Sequence, residues 1–70
     1  MEFVLYFRNK MGELRYFNKD SSKGGWYDCD SIGSAKKFPT RWEALRKREM
    51  LNKITKQMGW YGTYRVKEVK

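Results

Sequence analysis

Phe38-Pro39-Thr40-Arg41-Trp42-Glu43-Ala44 is the stretch on which the fold turns. Pro39 stops whatever precedes it and keeps Phe38 extended. Thr40 and Glu43 stand three apart, the spacing of a capping box, in which the threonine side chain satisfies a free N–H of the first helical turn. From Arg41 to about Gln57 the residues favour helix, and Met58-Gly59 closes it, with Gly59 where a left-handed residue is wanted. Phe38 beside the cap is positioned for a hydrophobic staple. On a helical wheel Ala44, Leu51, Ile54 and Met58 share one stripe, with Leu45 at its margin. Trp42, Arg46, Glu49, Lys53 and Lys56 lie roughly opposite. Glu43–Lys47 and Glu49–Lys53 are spaced for ion pairs of about 0.2–0.5 kcal/mol each.

Amino-terminal to this helix the pattern is that of strands. Phe3-Val-Leu-Tyr-Phe-Arg8 is aromatic and branched, and Leu14-Arg-Tyr-Phe17 reads as its return strand. Asn9-Lys10-Met11-Gly12 forms the turn between them. A four-residue turn sets Arg8 opposite Glu13, Phe7 opposite Leu14, Tyr6 opposite Arg15 and Leu5 opposite Tyr16. Alternation then puts Phe3, Leu5, Phe7, Leu14 and Tyr16 in the core. It puts Val4, Tyr6, Arg8, Glu13, Arg15 and Phe17 on the outer face. Asn18 to Gly25 reads as a loop, Trp26-Tyr27-Asp28 as a short third strand, and Ser31 to Lys37 as ambiguous. Carboxyl-terminal to the helix, Tyr61 to Val69 alternates as a last strand, with Tyr64 and Val66 inward and Arg65 and Lys67 outward. The expected fold is α+β, in the order β-β-β-α-β. A small antiparallel sheet of three to four strands carries one helix on one face, in a single domain over residues 1–70.

Composition narrows the function. The chain has 70 residues, no His and one Cys. The commonest general base and metal ligand is therefore missing, and neither an internal disulfide nor a structural zinc site can form. Cys29 lies between Asp28 and Asp30, which disfavour a reactive thiolate. Asp20, Asp28 and Asp30 are the only candidates for a divalent-cation cluster, and capping of turns is the simpler role for them. No phosphate-binding glycine loop is present. No apolar run is long enough to span a bilayer, and the amino end has no signal-peptide pattern, so a cytoplasmic protein without membrane association is expected. Neither a catalytic centre nor a cofactor is expected.

The charge is the strongest signal. Sixteen Lys and Arg against eight Asp and Glu leave +8, a field that attracts phosphate backbones or acidic protein surfaces. Two surfaces could use it. The outer sheet face would join Tyr6, Arg8, Arg15, Phe17, Arg65 and Lys67, rings interleaved with bases, as single-stranded nucleic acid requires. The helix region from Lys36 to Lys56 holds eight bases and two acids, a net +6. There Trp42, Arg46 and Lys53 stand away from the apolar stripe. The leading expectation is a basic nucleic-acid-binding protein. The alternative is an inhibitor or adaptor of phage type that docks on an acidic surface of a host protein, such as a defence nuclease or polymerase, with Trp42 and Trp60 as anchors.

Residues Trp26 to Ile54 resemble the arm-binding domains of phage and transposon integrases and their AP2-like relatives. The likeness is carried by the aromatic-x-Thr-x-x-Glu-Ala phrase, here Phe38 to Ala44. It implies a small accessory protein of a phage, prophage or other mobile element. In that family the sheet enters the DNA major groove, which would give base contacts to Arg8, Arg15 and Tyr6.

Overall fold

The computed structural model describes residues 1–59 and 63–69. Its elements are β1 (Glu2–Arg8), β2 (Leu14–Asp20), β3 (Trp26–Cys29), α1 (Arg41–Gln57) and β4 (Arg65–Val69). The strands form one antiparallel sheet in the order β3-β2-β1-β4, and α1 lies on one face of it. The fold is α+β, with the element order read from the sequence. Trp60 and Tyr61 fall outside the described residues.

The helix is built as its cap demands. Thr40 is the N-cap, its Oγ1 accepting the Glu43 N–H at 3.2 Å and its hydroxyl donating to Glu43 Oε2 at 3.0 Å. At the far end Gly59 has φ 69°, the left-handed conformation that lets a residue without Cβ end a helix cheaply. The buried stripe, however, is Ala44, Leu51 and Thr55. Ile54 and Met58, expected in the core, are exposed. The helix is rolled so that Thr55 faces inward, its hydroxyl bonded to the Asn52 carbonyl at 3.0 Å. Asn52 also clamps the chain before β4. Its Nδ2 donates to the Tyr64 carbonyl at 3.2 Å, and its Oδ1 accepts the Tyr64 N–H at 2.8 Å. The expected Glu43–Lys47 pair gives way to a bond from Lys47 to Asp20 at 2.7 Å. Phe38 is buried in the core.

The β1–β2 register differs from the expected one by a single residue. Asn9 and Glu13 close the hairpin through the Asn9 N–H to the Glu13 carbonyl at 2.9 Å, leaving a three-residue loop. Asn9 Oδ1 accepts the N–H groups of Met11 and Glu13, and Gly12 adopts φ 84°. This is the three-residue hairpin, a turn followed by a left-handed glycine. Tyr6 therefore faces Tyr16, Phe7 faces Arg15 and Arg8 faces Leu14. A one-residue slip exchanges faces. Tyr16 and Leu14 go to the outer face, and Arg15 and Phe17 go to the helix side. β2 also runs on to Asp20, farther than expected, with an irregularity between Phe17 and Lys19. Asn18 is the extra residue there, as in a β-bulge.

The main core lies between sheet and helix: Phe3, Leu5, Phe7, Phe17, Phe38, Ala44, Leu51 and Tyr64, with Trp26 and Val66 packed against it. A smaller cluster covers part of the outer face, where Ala35 and Ile32 pack on Val4 and Tyr16. The Ser31–Phe38 segment thus begins on one side of the sheet and ends on the other. It crosses where β1 and β2 separate. Lys36 N–H bonds the Phe17 carbonyl at 3.0 Å, and Phe38 exchanges two backbone bonds with Phe3, at 2.8 and 2.9 Å. Phe38 therefore holds the free edge of β1 before delivering the chain to α1.

Candidate nucleic-acid interface

Of the residues expected on the outer sheet face, the fold brings four together. Register places Arg65 beside Tyr6 and Lys67 beside Val4 on β4, with Arg8 next along β1. Arg8, Arg65 and Lys67 are exposed and Tyr6 is half-buried. A row therefore runs Arg65–Tyr6–Tyr16 across three strands, the cross-strand contact by which a guanidinium and rings support one another at about 0.2–1 kcal/mol per pair. An open cleft of about 430 Å³ lies at this end of the sheet, lined by Tyr6, Arg8, Leu14, Thr63 and Arg65 among others. Leu14 and Thr63 carried no sequence signal for a site. Leu14 reached this surface only through the hairpin register.

Arg8 is held in place by a 2.6 Å bond from its Nη1 to the Gly12 carbonyl, which ties the guanidinium to the hairpin. Arg65 and Lys67 form no ion pair among the described residues, where the two salt bridges are Arg15–Asp28 and Lys47–Asp20. Their charge is left to solvent or to a ligand.

Arg15 and Phe17 are not part of this surface. Phe17 is fully buried under α1, with Phe38 stacked on it at 6.2 Å between centroids. Arg15 turns to the helix side and donates to Asp28 Oδ1 at 3.0 Å. That hydrogen bond, with the nearby charges of Asp28 and Asp30, holds its guanidinium even more firmly protonated than usual. Asp20 and Asp28 are thus engaged by Lys47 and Arg15, and among the described residues no three carboxylates or thiols converge on a point that could hold a metal. Cys29 is half-buried, its thiol directed to the Ser31 carbonyl at 3.4 Å.

Beside Arg15 on the helix side, the Tyr64 phenol accepts from Trp26 Nε1 at 3.0 Å and packs edge-on against Phe7 at 4.9 Å. Burial pushes the phenol up to about 12, against a smaller opposing pull from the Trp26 hydrogen bond. This group is buried in the main core on the helix side.

Trp42, Arg46 and Lys53 occupy a second, separate surface. They lie on the side of α1 turned away from the sheet, and the sheet stands between them and Tyr6. Trp42 is 64% exposed and Arg46 stacks on its ring at 4.8 Å, a contact of about 0.5–1 kcal/mol at an exposed site. The two basic surfaces are therefore not one footprint. No helix among the described residues is long and apolar enough to cross a membrane. Comparison with protein-family models, with curated proteins and with solved structures finds no match to this chain.

Proposed function

We propose that this chain is a non-enzymatic, basic protein that binds single-stranded nucleic acid through the outer face of its sheet. The observation that carries the proposal is the half-buried Tyr6 ring set beside Arg65, with Arg8 and Lys67 on the same face and, among the described residues, no carboxylate paired with the β4 bases. A base stacks on an aromatic ring of any strand that reaches it, and phosphates seek cations without partners. Tyr6 supplies the first contact, and Arg8, Arg65 and Lys67 supply the second. A wide, rigid duplex has less to gain, because the Ser31–Lys37 segment already covers part of the same face. An accessory role in a mobile element belongs to this proposal and rests on the phrase at the helix start.

The test is fluorescence anisotropy with a labelled, mixed-sequence single strand. Three engaged phosphates should weaken binding about twentyfold between about 50 and 200 mM salt, from a slope of about −0.7 per phosphate. Failure to bind more tightly than about 100 µM at the lower salt would sink the proposal, since non-specific binders already reach that range.

A further inference from the structure

The molecule carries an apolar row that neither its core nor the outer sheet face uses. Met50, Ile54 and Met58 follow one another at four-residue steps along one flank of α1 and are 58%, 38% and 70% exposed. Residues four apart stack along one side of a helix, so these three form a ridge. The ridge borders a hollow of about 270 Å³ whose other side is Trp26, Gly25 and Asp20. Next to that hollow is another of about 400 Å³ at the amino-terminal half of the helix, bordered by Lys36, Pro39, Trp42 and Arg46. Lys47 and Met50 line both, so the two hollows adjoin and make a trough that the Lys47–Asp20 pair crosses midway.

The trough is graded. At its carboxyl-terminal end the exposed side chains are Met and Ile, with the half-buried Trp26 opposite. At its amino-terminal end stand Lys36 and Arg46, each lying over a ring, Phe38 at 5.6 Å and Trp42 at 4.8 Å. Neither base forms an ion pair among the described residues. Lys47, between the two ends, is held by Asp20 through both carboxylate oxygens at 2.9 and 2.7 Å. Monomeric proteins seldom leave several large apolar side chains contiguous and exposed beside a hollow unless something covers them.

We propose that this trough docks a segment of a partner protein bearing carboxylates at one end and apolar side chains at the other. Charge complementarity picks the occupant. The carboxylates meet Lys36 and Arg46, and the apolar side chains seat on Met50, Ile54 and Met58. Methionine suits such a role because its unbranched, polarisable side chain re-packs around different shapes. A nucleic acid fits poorly, since the apolar half is mostly aliphatic and offers bases little to stack on. From Trp42 to Met58 the trough is about 24 Å long, room for about seven extended residues. The surface is separate from the outer sheet face, so this inference stands or falls independently of nucleic-acid binding.

The chain contains its own reporters. Met50 and Met58 line the trough, and Met11, 80% exposed at the β1–β2 hairpin, does not. Protein labelled with ¹³C at the methionine methyls is titrated with two synthetic peptides, each with Asp and Glu at one end and Leu and Phe at the other, in opposite chain directions. At least one should shift the Met50 and Met58 methyls saturably and leave Met11 in place. The same peptide with Lys in place of its acids should not. Met50→Lys with Ile54→Lys should weaken the response about tenfold, the order that losing a central apolar anchor costs. Arg46→Glu should weaken it through the other end without touching the ridge, and Arg65→Ala should leave it unchanged. The proposal is overturned if neither peptide moves Met50 and Met58, if Met11 moves with them, if charge reversal makes no difference, or if a single-stranded oligonucleotide shifts these methyls instead.

Discussion

The two faces of the sheet are both rich in rings, and they use different ones. All four Phe of the chain, Phe3, Phe7, Phe17 and Phe38, lie in the core on the helix side. Tyr6 and Tyr16 lie on the other face, and strand alternation puts Tyr27 there with Cys29. A phenyl ring needs nothing but apolar neighbours. A tyrosine must find a partner for its hydroxyl when buried, or keep it in water. Tyr64, on the helix side, fits the rule: it is buried, and its hydroxyl accepts from Trp26. Charges divide the same way. On the helix side Arg15 meets Asp28 and Lys47 meets Asp20. On the outer face Arg65 and Lys67 form no ion pair among the described residues. On the helix side the described charges meet internal partners, and on the outer face Arg65 and Lys67 stay exposed beside the smaller cluster.

The sharpest way to break this comparison is to remove one ring from each face. Phe17→Ala should cost about 3–5 kcal/mol, the range for a large core ring. Tyr6→Ala should cost about 1 kcal/mol or less, the worth of a half-exposed cross-strand contact. Equal losses in denaturant melts would mean that both faces are structural. Next in size is Asn52→Ala. It deprives the Tyr64 backbone of both its bonds to α1, and about 1–3 kcal/mol should be lost where a buried amide is left unsatisfied. Because Tyr64 leads directly into β4, this variant should also loosen Arg65 and weaken oligonucleotide binding. Stability loss with wild-type binding would uncouple the two faces. Thr40→Ala should cost about 1 kcal/mol through the cap alone and leave binding unchanged.

A further effect is confined to alkaline solution. The Tyr64 phenol is raised from 10 to about 12 by burial, so the folded state favours its neutral form. Its contribution is whole below about pH 10 and is lost as the pH climbs through about 12. Thermal midpoints should fall across that window, and Tyr64→Phe should flatten part of the fall. An unchanged slope in the variant would show that the inner face holds no such group.

The helix was legible from its ends. Thr40, Glu43 and Gly59 are local signals whose meaning needs no distant partner, and the observed span agrees. The small antiparallel sheet was legible for the same reason, at three to four strands where the structure has four. What could not be read was set at a distance or by one residue. Asn9 uses its own side chain to close a three-residue loop, and that single step moved Arg15 and Phe17 off the candidate site and brought Leu14 onto it. Periodicity placed Ile54 and Met58 in the core because it scores only apolar residues. The helix instead rolled toward Thr55 and Asn52, whose polar groups are satisfied by bonds that no wheel displays. Of the candidate interface, Tyr6, Arg8, Arg65 and Lys67 were legible because their positions follow from alternation on β1 and β4.

The central claim is that the outer face, and not the helix side, meets the nucleic acid. Anisotropy titration of the labelled single strand with Arg65→Ala and with Arg15→Ala tests it most directly. Arg65→Ala should weaken binding several-fold and lower the salt slope by about 0.7, one phosphate contact fewer. Arg15→Ala should lower the melting temperature while the folded protein keeps its affinity and its slope. The opposite pattern, with affinity lost at Arg15 and untouched at Arg65, would contradict the account.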